Sequence, residues 1–228
     1  MNTTERERMR AALDRASAAG FLPEAAAPHP GRFVQAADTV APAVLIERFA
    51  HELESLAGHV HRAPDVEAAV AIVKRIADDH GTRSFLAWRD DDLVREASSS
   101  LERDGLVQKP QNVALAGPER VSSLAEIGTC ALGITGADFG LADTGSVVLG
   151  CGPGRGRLAS LLPPVHVVMI RLERIVASLA HALAADPTLA SRGSNLVVIT
   201  GPSRTADIEF TLSRGVHGPR EIHVVVVG

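Results

Sequence analysis

Brief apolar runs alternating with stretches of helical spacing are the feature that most limits what this chain can fold into. Such runs occur at residues 84–88, 112–116, 146–149, 166–170, 195–199 and 222–227. Each is too short for a core helix and apolar on successive positions, the pattern of a strand buried on both faces. Helical spacing fills the gaps. Leu45, Phe49 and Leu53 share one face over 43–56, and Asp65 caps a helix over 66–80 that Gly81 ends. Further helices are expected at 91–103, 121–131, 171–185 and 203–214. Strands alternating with helices in this way indicate an α/β fold: three layers around a mainly parallel sheet, with ligands beyond the carboxyl ends of the strands.

The N-terminal part reads differently. Met9, Leu13 and Ala16 repeat at helical spacing over 3–18 behind Thr3 or Thr4, Gly20 stops that helix, and 21–42 is rich in Ala, Pro and Gly. The expected organisation is an N-terminal helix and linker arm over 1–42, followed by an α/β domain over 43–228.

Composition narrows the partners. Aromatic residues are 3% of the chain, with no tyrosine and one tryptophan. The core must therefore be aliphatic, and no base-stacking surface is expected. The net charge of −4 comes without a long Lys/Arg run, so nucleic acid is not an expected partner. Two cysteines, Cys130 and Cys151, can build neither a disulfide framework nor a four-cysteine iron–sulfur cluster within one chain. No apolar run is long enough to span a membrane and the first residues lack a signal core, so a cytoplasmic location is expected.

Several glycine-punctuated segments in the C-terminal half are candidates for chemistry. After the run at 195–199, Thr200-Gly201-Pro202-Ser203-Arg204-Thr205 turns the chain into the expected helix, with Ser203 as its cap. A strand, turn and helix start can hold an anion, to which Arg204 adds charge. On that helix Asp207 and Glu209 lie about 200° apart, whereas Ser203 and Asp207 share a face. The competing reading is that Ser203 only caps and Asp207 only favours the positive helix end.

A second segment, residues 133–146, holds four glycines together with Asp138 and Asp143. Asp143-Thr144-Gly145-Ser146 suits either a ligand contact or a plain tight turn. Residues 150–157, Gly-Cys-Gly-Pro-Gly-Arg-Gly-Arg, match neither the P-loop nor the dinucleotide pattern and read as a flexible hairpin or lid. Arg157 is the residue there expected to face a ligand. His217, in the turn Gly215-Val216-His217-Gly218-Pro219, is a candidate proton carrier alongside Asp143 and Asp207, with a hydrogen-bonded turn as the alternative. Cys151 reads as a spectator thiol.

Taken in order, Gly133-Ile134-Thr135-Gly136-Ala137-Asp138, Ala142-Asp143-Thr144-Gly145-Ser146, Leu161-Leu162-Pro163-Pro164-Val165-His166, residues 199–209 and residues 215–219 resemble the LUD-domain family. Within it the similarity is to the lactate utilisation protein C (LutC/YkgG) group, firm over 112–228 and weaker before. The resemblance implies a NagB/RpiA/CoA-transferase-like fold. It also implies a subunit without its own redox centre that helps oxidise L-lactate to pyruvate beside partner subunits carrying iron–sulfur clusters. Such a chain is a component of a complex rather than a self-sufficient oxidoreductase, and no cofactor of its own is expected. Where family members often carry Glu before the Thr/Ser-Gly step, this chain has Asp143, one methylene shorter. The ligand-facing set is then Thr144, Gly145, Ser146, Arg157, Gly201, Ser203, Arg204, Thr205 and Asp207, around a small carboxylate or phosphate. The alternative is a stand-alone enzyme or sensor for a small anionic metabolite such as a sugar phosphate or acyl-CoA.

Overall fold

A computed structural model describes residues 7–11, 40–110, 113, 117–191, 193–206, 212–214 and 218–228. The chain separates into two compact units, residues 1–35 and 36–228. In the first, residues 7–11 are helical.

The second unit begins with α1 (Pro42–Ser55), which buries Ile46, Phe49, Ala50 and Leu53. Strand β1 (His59–Ala63) leads to α2 (Val66–Asp79), whose cap Asp65 accepts from the Ala68 amide at 2.8 Å, as its sequence position implies. Then come β2 (Ser84–Ala87), α3 (Asp92–Arg103), β3 (Val107–Gln108), α4 (Pro118–Ile127) and β4 (Leu132–Gly136). A hairpin of β5 (Phe139–Leu141) and β6 (Ser146–Cys151) precedes the short α5 (Leu158–Leu161). The chain continues through β7 (Val165–Arg171), a 3-10 turn (Leu172–Arg174), β8 (Ile175–Val176), α6 (Leu179–Ala185) and β9 (Asn195–Ile199). It closes with β10 (Arg204–Ala206), β11 (Leu212–Arg214) and β12 (Glu221–Val227).

Among the described residues the main sheet has six strands in the order β1-β12-β7-β4-β2-β3, every pairing parallel. Helices flank it, giving the three-layer α/β arrangement. Two glycines of β4 show how the layers close. A Cβ on Gly133 would lie 3.0 Å from the Ala159 carbonyl carbon in α5 and closer still to its oxygen. A Cβ on Gly136 would lie 2.7 Å from Asp91 Cγ at the cap of α3. Residues three apart on a strand face opposite sides, so α5 and the start of α3 cover different faces of the sheet. The core is aliphatic: Leu132, Ile134, Val167, Val168, Val224 and Val225 are fully enclosed.

Several expectations change here. The glycine segment 133–136 is a buried central strand, its glycines admitting close neighbours rather than a ligand. Strands β6 and β9 leave the parallel sheet and join β5 and β8 in a second, four-stranded sheet of order β8-β5-β6-β9, with β5–β6 and β6–β9 antiparallel. The helix expected over 203–214 does not form: β10 and β11 pair antiparallel, Arg204 opposite Arg214. Thr205, in β10, is β-branched, a type that fits a pleated surface better than a helix. Only the second part of 171–185 is helical. The expected strand at 112–116 lies outside the described residues, apart from Val113. No helix among the described residues is long and apolar enough to cross a membrane.

One buried polar pair crosses the main sheet. Thr135 Oγ1 and His166 Nε2 are 2.9 Å apart between β4 and β7, both fully enclosed. Burial pulls the imidazole down to about 3. Its folded value lies below the unfolded one, so between about pH 3 and 6.5 the unfolded chain binds a proton that the native ring does not. His166 therefore removes stability as pH falls below about 6.5, by up to about 1.4 kcal/mol per unit. Urea unfolding at pH 7 and pH 5 is expected to show this loss, and a His166→Gln protein should show a flatter profile over the same interval.

Candidate functional site: a carboxylate–guanidinium cavity at the strand ends

Parallel strands deliver their following loops to one edge, and here β2, β4 and β7 bring charged residues together. After β2 the chain runs Trp88-Arg89-Asp90-Asp91 into α3, after β4 it runs Ala137-Asp138 into β5, and β7 ends on Arg171 just before Arg174. Asp91, Asp92, Asp138, Arg155, Arg171 and Arg174 line a cavity of about 230 Å³ at this edge.

Arg155 organises it. Its Nη1 donates to Asp138 Oδ1 at 3.0 Å, and its Nε lies 3.2 Å from the Asp90 carbonyl and 3.3 Å from Asp90 Oδ2. The guanidinium also sits over the Trp88 ring, 5.3 Å from its centroid. Asp138 is almost wholly enclosed, and its other oxygen accepts from the Gly150 amide at 2.6 Å. A charge-assisted pair this enclosed fixes geometry as well as energy.

The loop carrying Arg155 is itself fastened. Gly152-Pro153-Gly154-Arg155 makes a tight turn, Arg155 N donating to Gly152 O at 3.0 Å. Proline at the second position and Gly154 at φ +72° in the third are the residues a type II turn asks for. Arg89 N donates to Gly154 O at 2.8 Å and Trp88 Nε1 to Gly156 O at 3.1 Å. The expected hairpin is present, and these bonds tie it to the end of β2.

Asp91 adds a partly buried carboxyl. It caps α3 by accepting from the Val94 amide at 3.1 Å. Burial raises its carboxyl above the ordinary value, against the lowering effect of that amide and of Arg155. Arg171 and Arg174 are exposed. Arg174 lies 5.8 Å from the Phe139 ring centroid, and no ion pair engages Arg171 among the described residues. The cavity thus offers an available guanidinium to an anion, and a carboxyl held towards its protonated form.

The sequence-derived candidates fall elsewhere. Asp143, Thr144, Gly145 and Ser146 form the tip of the β5–β6 hairpin, roughly 13 Å from Gly150 by strand rise. Gly145 takes φ +62°, and a Cβ there would lie 2.8 Å from the Cα of Leu53 in α1. Ser146 Oγ is 2.8 Å from Thr144 Oγ1 and 2.7 Å from Thr200 Oγ1. The turn at 143–146 and the start of 200–203 therefore do meet, through the pairing of β6 with β9. Gly201, at φ +81°, turns the chain. Ser203 donates its amide to Pro219 O at 2.9 Å, so with no helix following it this is not a helix-start anion site. Arg204 and Thr205 are placed in β10 by their backbone. Asp207 and His217 lie outside the described residues. Arg157 is exposed at the start of α5, while Arg155 lines the cavity. Cys151 is buried, and burial pushes its thiol up.

Fold and cavity together define an α/β protein with a charged cavity at the carboxyl edge of its parallel sheet. Residues 46–227 match the LUD domain model, and the chain belongs to the LUD-domain family. It is 32% identical over 163 residues to a lactate utilization protein C from Geobacillus, covering 68% of this chain and 66% of that protein. It is 31% identical over 159 residues to a lactate utilization protein C from Halalkalibacterium halodurans, covering 68% and 67%. The chain thus spans about two thirds of the length of these relatives. A crystal structure of a DUF162 family protein from Deinococcus radiodurans shares the fold, with a TM-score of 0.61 and 19% identity, covering 83% of this chain and 99% of that one.

Proposed function

We propose that this protein serves lactate utilisation as a subunit without a redox centre of its own, and that its strand-end cavity binds a small monocarboxylate. The observation that carries the reading is Arg171, a guanidinium with no ion-pair partner among the described residues, on the wall of a cavity of about 230 Å³. That volume is below the range typical of drug-sized ligands. Three aspartates share the wall with three arginines, one of which already serves Asp138 and Asp90. Such a balance suits a monoanion such as lactate or pyruvate better than a phosphate dianion, which like charges would oppose. It favours a hydroxy or keto acid over a sugar phosphate or acyl-CoA.

In this reading Arg171, with Arg174, takes the substrate carboxylate. Arg155 and Asp138 hold the wall rigid. Asp91 stands where a proton could pass to or from a substrate oxygen. Oxidation of lactate to pyruvate releases two electrons and two protons, and iron–sulfur clusters in partner subunits would accept the electrons. The names of the relatives support the metabolic role.

The test is purification of the native assembly and assay of L-lactate oxidation with and without this chain. Oxidation is expected only when this chain and its cluster-bearing partners are together. Full oxidation by the partners alone would overturn the subunit role, and oxidation by this chain alone would favour the stand-alone enzyme.

A further inference from the structure

A second group of chemically capable side chains lies at the opposite edge of the main sheet, where β1 and β12 begin. His59 and His223 are register partners in the parallel pairing of these strands, and Glu221 precedes His223 by two, on the same face. One ligand atom from each of His59, Glu221 and His223 lies within 4.8 Å of the others. The His59 and His223 rings stack with centroids 4.6 Å apart. His223 is buried, while His59 is exposed and Glu221 half-exposed, so the group is open to solvent on one side.

The surroundings orient two of the three. His61 Nε2 and His223 Nδ1 are 3.1 Å apart. If His223 Nδ1 carries the proton and donates to His61, His223 Nε2 is left as a lone-pair donor. That Nε2 makes no hydrogen bond among the described residues and stands 3.5 Å from Glu221 Oε2. Buried imidazole nitrogens are rarely left without a hydrogen-bond partner. Glu221 Oε2 is in turn 3.0 Å from His80 Nε2, whose Nδ1 is 2.9 Å from the Ile76 carbonyl at the end of α2. A histidine held through its other nitrogen and a carboxylate held by a neighbour form the supporting shell usual around bound metal.

We propose that His59, Glu221 and His223 form a binding site for a divalent first-row transition ion such as zinc, with His61 and His80 as positioning residues. Two imidazoles and one carboxylate suit such an ion, whereas magnesium and calcium favour all-oxygen sets. Three protein ligands leave a coordination position for water or an exogenous ligand. Bonds of roughly 2.0–2.2 Å to one zinc ion require the three donor atoms to close in from a spacing of up to 4.8 Å. The site is independent of the strand-end cavity, and its failure would leave the proposed function untouched.

Tag-free protein, stripped with a chelator and titrated with Zn(II) against a chromophoric competitor at pH 7.5, tests it. One equivalent is expected to bind. The exposed-ligand variant His59→Gln and the variant Glu221→Gln should each weaken binding by at least about 30-fold while retaining the wild-type circular dichroism. His80→Gln, a positioning change, should weaken it by roughly 10-fold. Co(II) should bind the wild type with visible bands of a low-coordinate site, and those bands should be lost in both ligand variants. Absence of a stoichiometric site, or equal affinity in wild type and both ligand variants, would overturn the proposal.

Discussion

Replacing Arg155 by methionine is expected to destabilise the protein by about 2–3 kcal/mol, the scale of a charge-assisted hydrogen bond whose partner stays buried. Asp138 is the reason. Its side chain is only 7% exposed and relies on Arg155 Nη1 at 3.0 Å as well as the Gly150 amide. Methionine keeps much of the arginine's aliphatic bulk against Trp88 but leaves the carboxylate with less compensation for its lost water. Chemical unfolding at pH 7 measures the loss. Adding Asp138→Asn is expected to recover part of it, because the charge that needed Arg155 is then gone. Strictly additive losses in the double variant would show that the two residues do not work as a pair. The same single variant should also lose carboxylate affinity, since the wall that Arg155 ties to Asp90, Asp138 and Trp88 loosens.

A larger structural effect is expected from Gly133→Ala. The added methyl would meet the backbone of α5, with the Ala159 carbonyl carbon at 3.0 Å and its oxygen closer. A backbone carbonyl cannot swing aside as a side-chain tip can, so α5 or β4 must shift. Both contact the centre of the core, where Leu132 and Ile134 are fully buried. Overpacking of this kind costs about 3 kcal/mol or more, a large share of a typical domain's stability. The variant should accumulate in the insoluble fraction or melt far below the wild type. Alanine at Gly152, where nothing lies within 4 Å of the added methyl, is the matched control and should leave the melting temperature near the wild-type value. Equal melting of all three proteins would contradict this explanation of why β4 carries glycine.

Much of the architecture was legible because burial on both faces leaves a plain signature. The runs at 166–170, 195–199 and 222–227 became β7, β9 and β12 within a residue at either end. What composition could not show was which sheet a strand joins. β6 and β9 are as apolar as the parallel strands, and only their antiparallel pairings, β6 with β5 across the tight turn between them and β9 with β6 at long range, take them elsewhere. β1 was missed because HVHRA does not read as apolar: its charged and imidazole side chains belong to a sheet-edge strand. Helical spacing misled at 203–214, where cap chemistry at Ser203 competed with β-branched residues and tertiary pairing decided the outcome.

The cavity was less legible than the fold. Asp91, Asp92, Asp138, Arg155, Arg171 and Arg174 come from four separate stretches of chain, so spacing carries no trace of their convergence. One signal was available: strand-end positions in a parallel sheet are where ligands gather. The acidic run after β2 and the arginine ending β7 both occupy such positions. Glycine content pointed instead to 143–146 and 200–205 as ligand-facing, where Gly145 and Gly201 take positive φ as the chain turns.

In the proposed function, carboxylate binding depends most directly on Arg171. Isothermal titration of L-lactate and of pyruvate into the wild-type protein and into Arg171→Ala separates binding from folding, because this arginine is exposed at the end of β7. One-to-one binding of at least one of the two acids is expected in the wild type. The variant should bind at least about 10-fold more weakly, the equivalent of one charge-assisted contact, with an unchanged melting temperature. No binding of either acid to the wild type, or equal binding by both proteins, would contradict the assignment of this cavity as a carboxylate site.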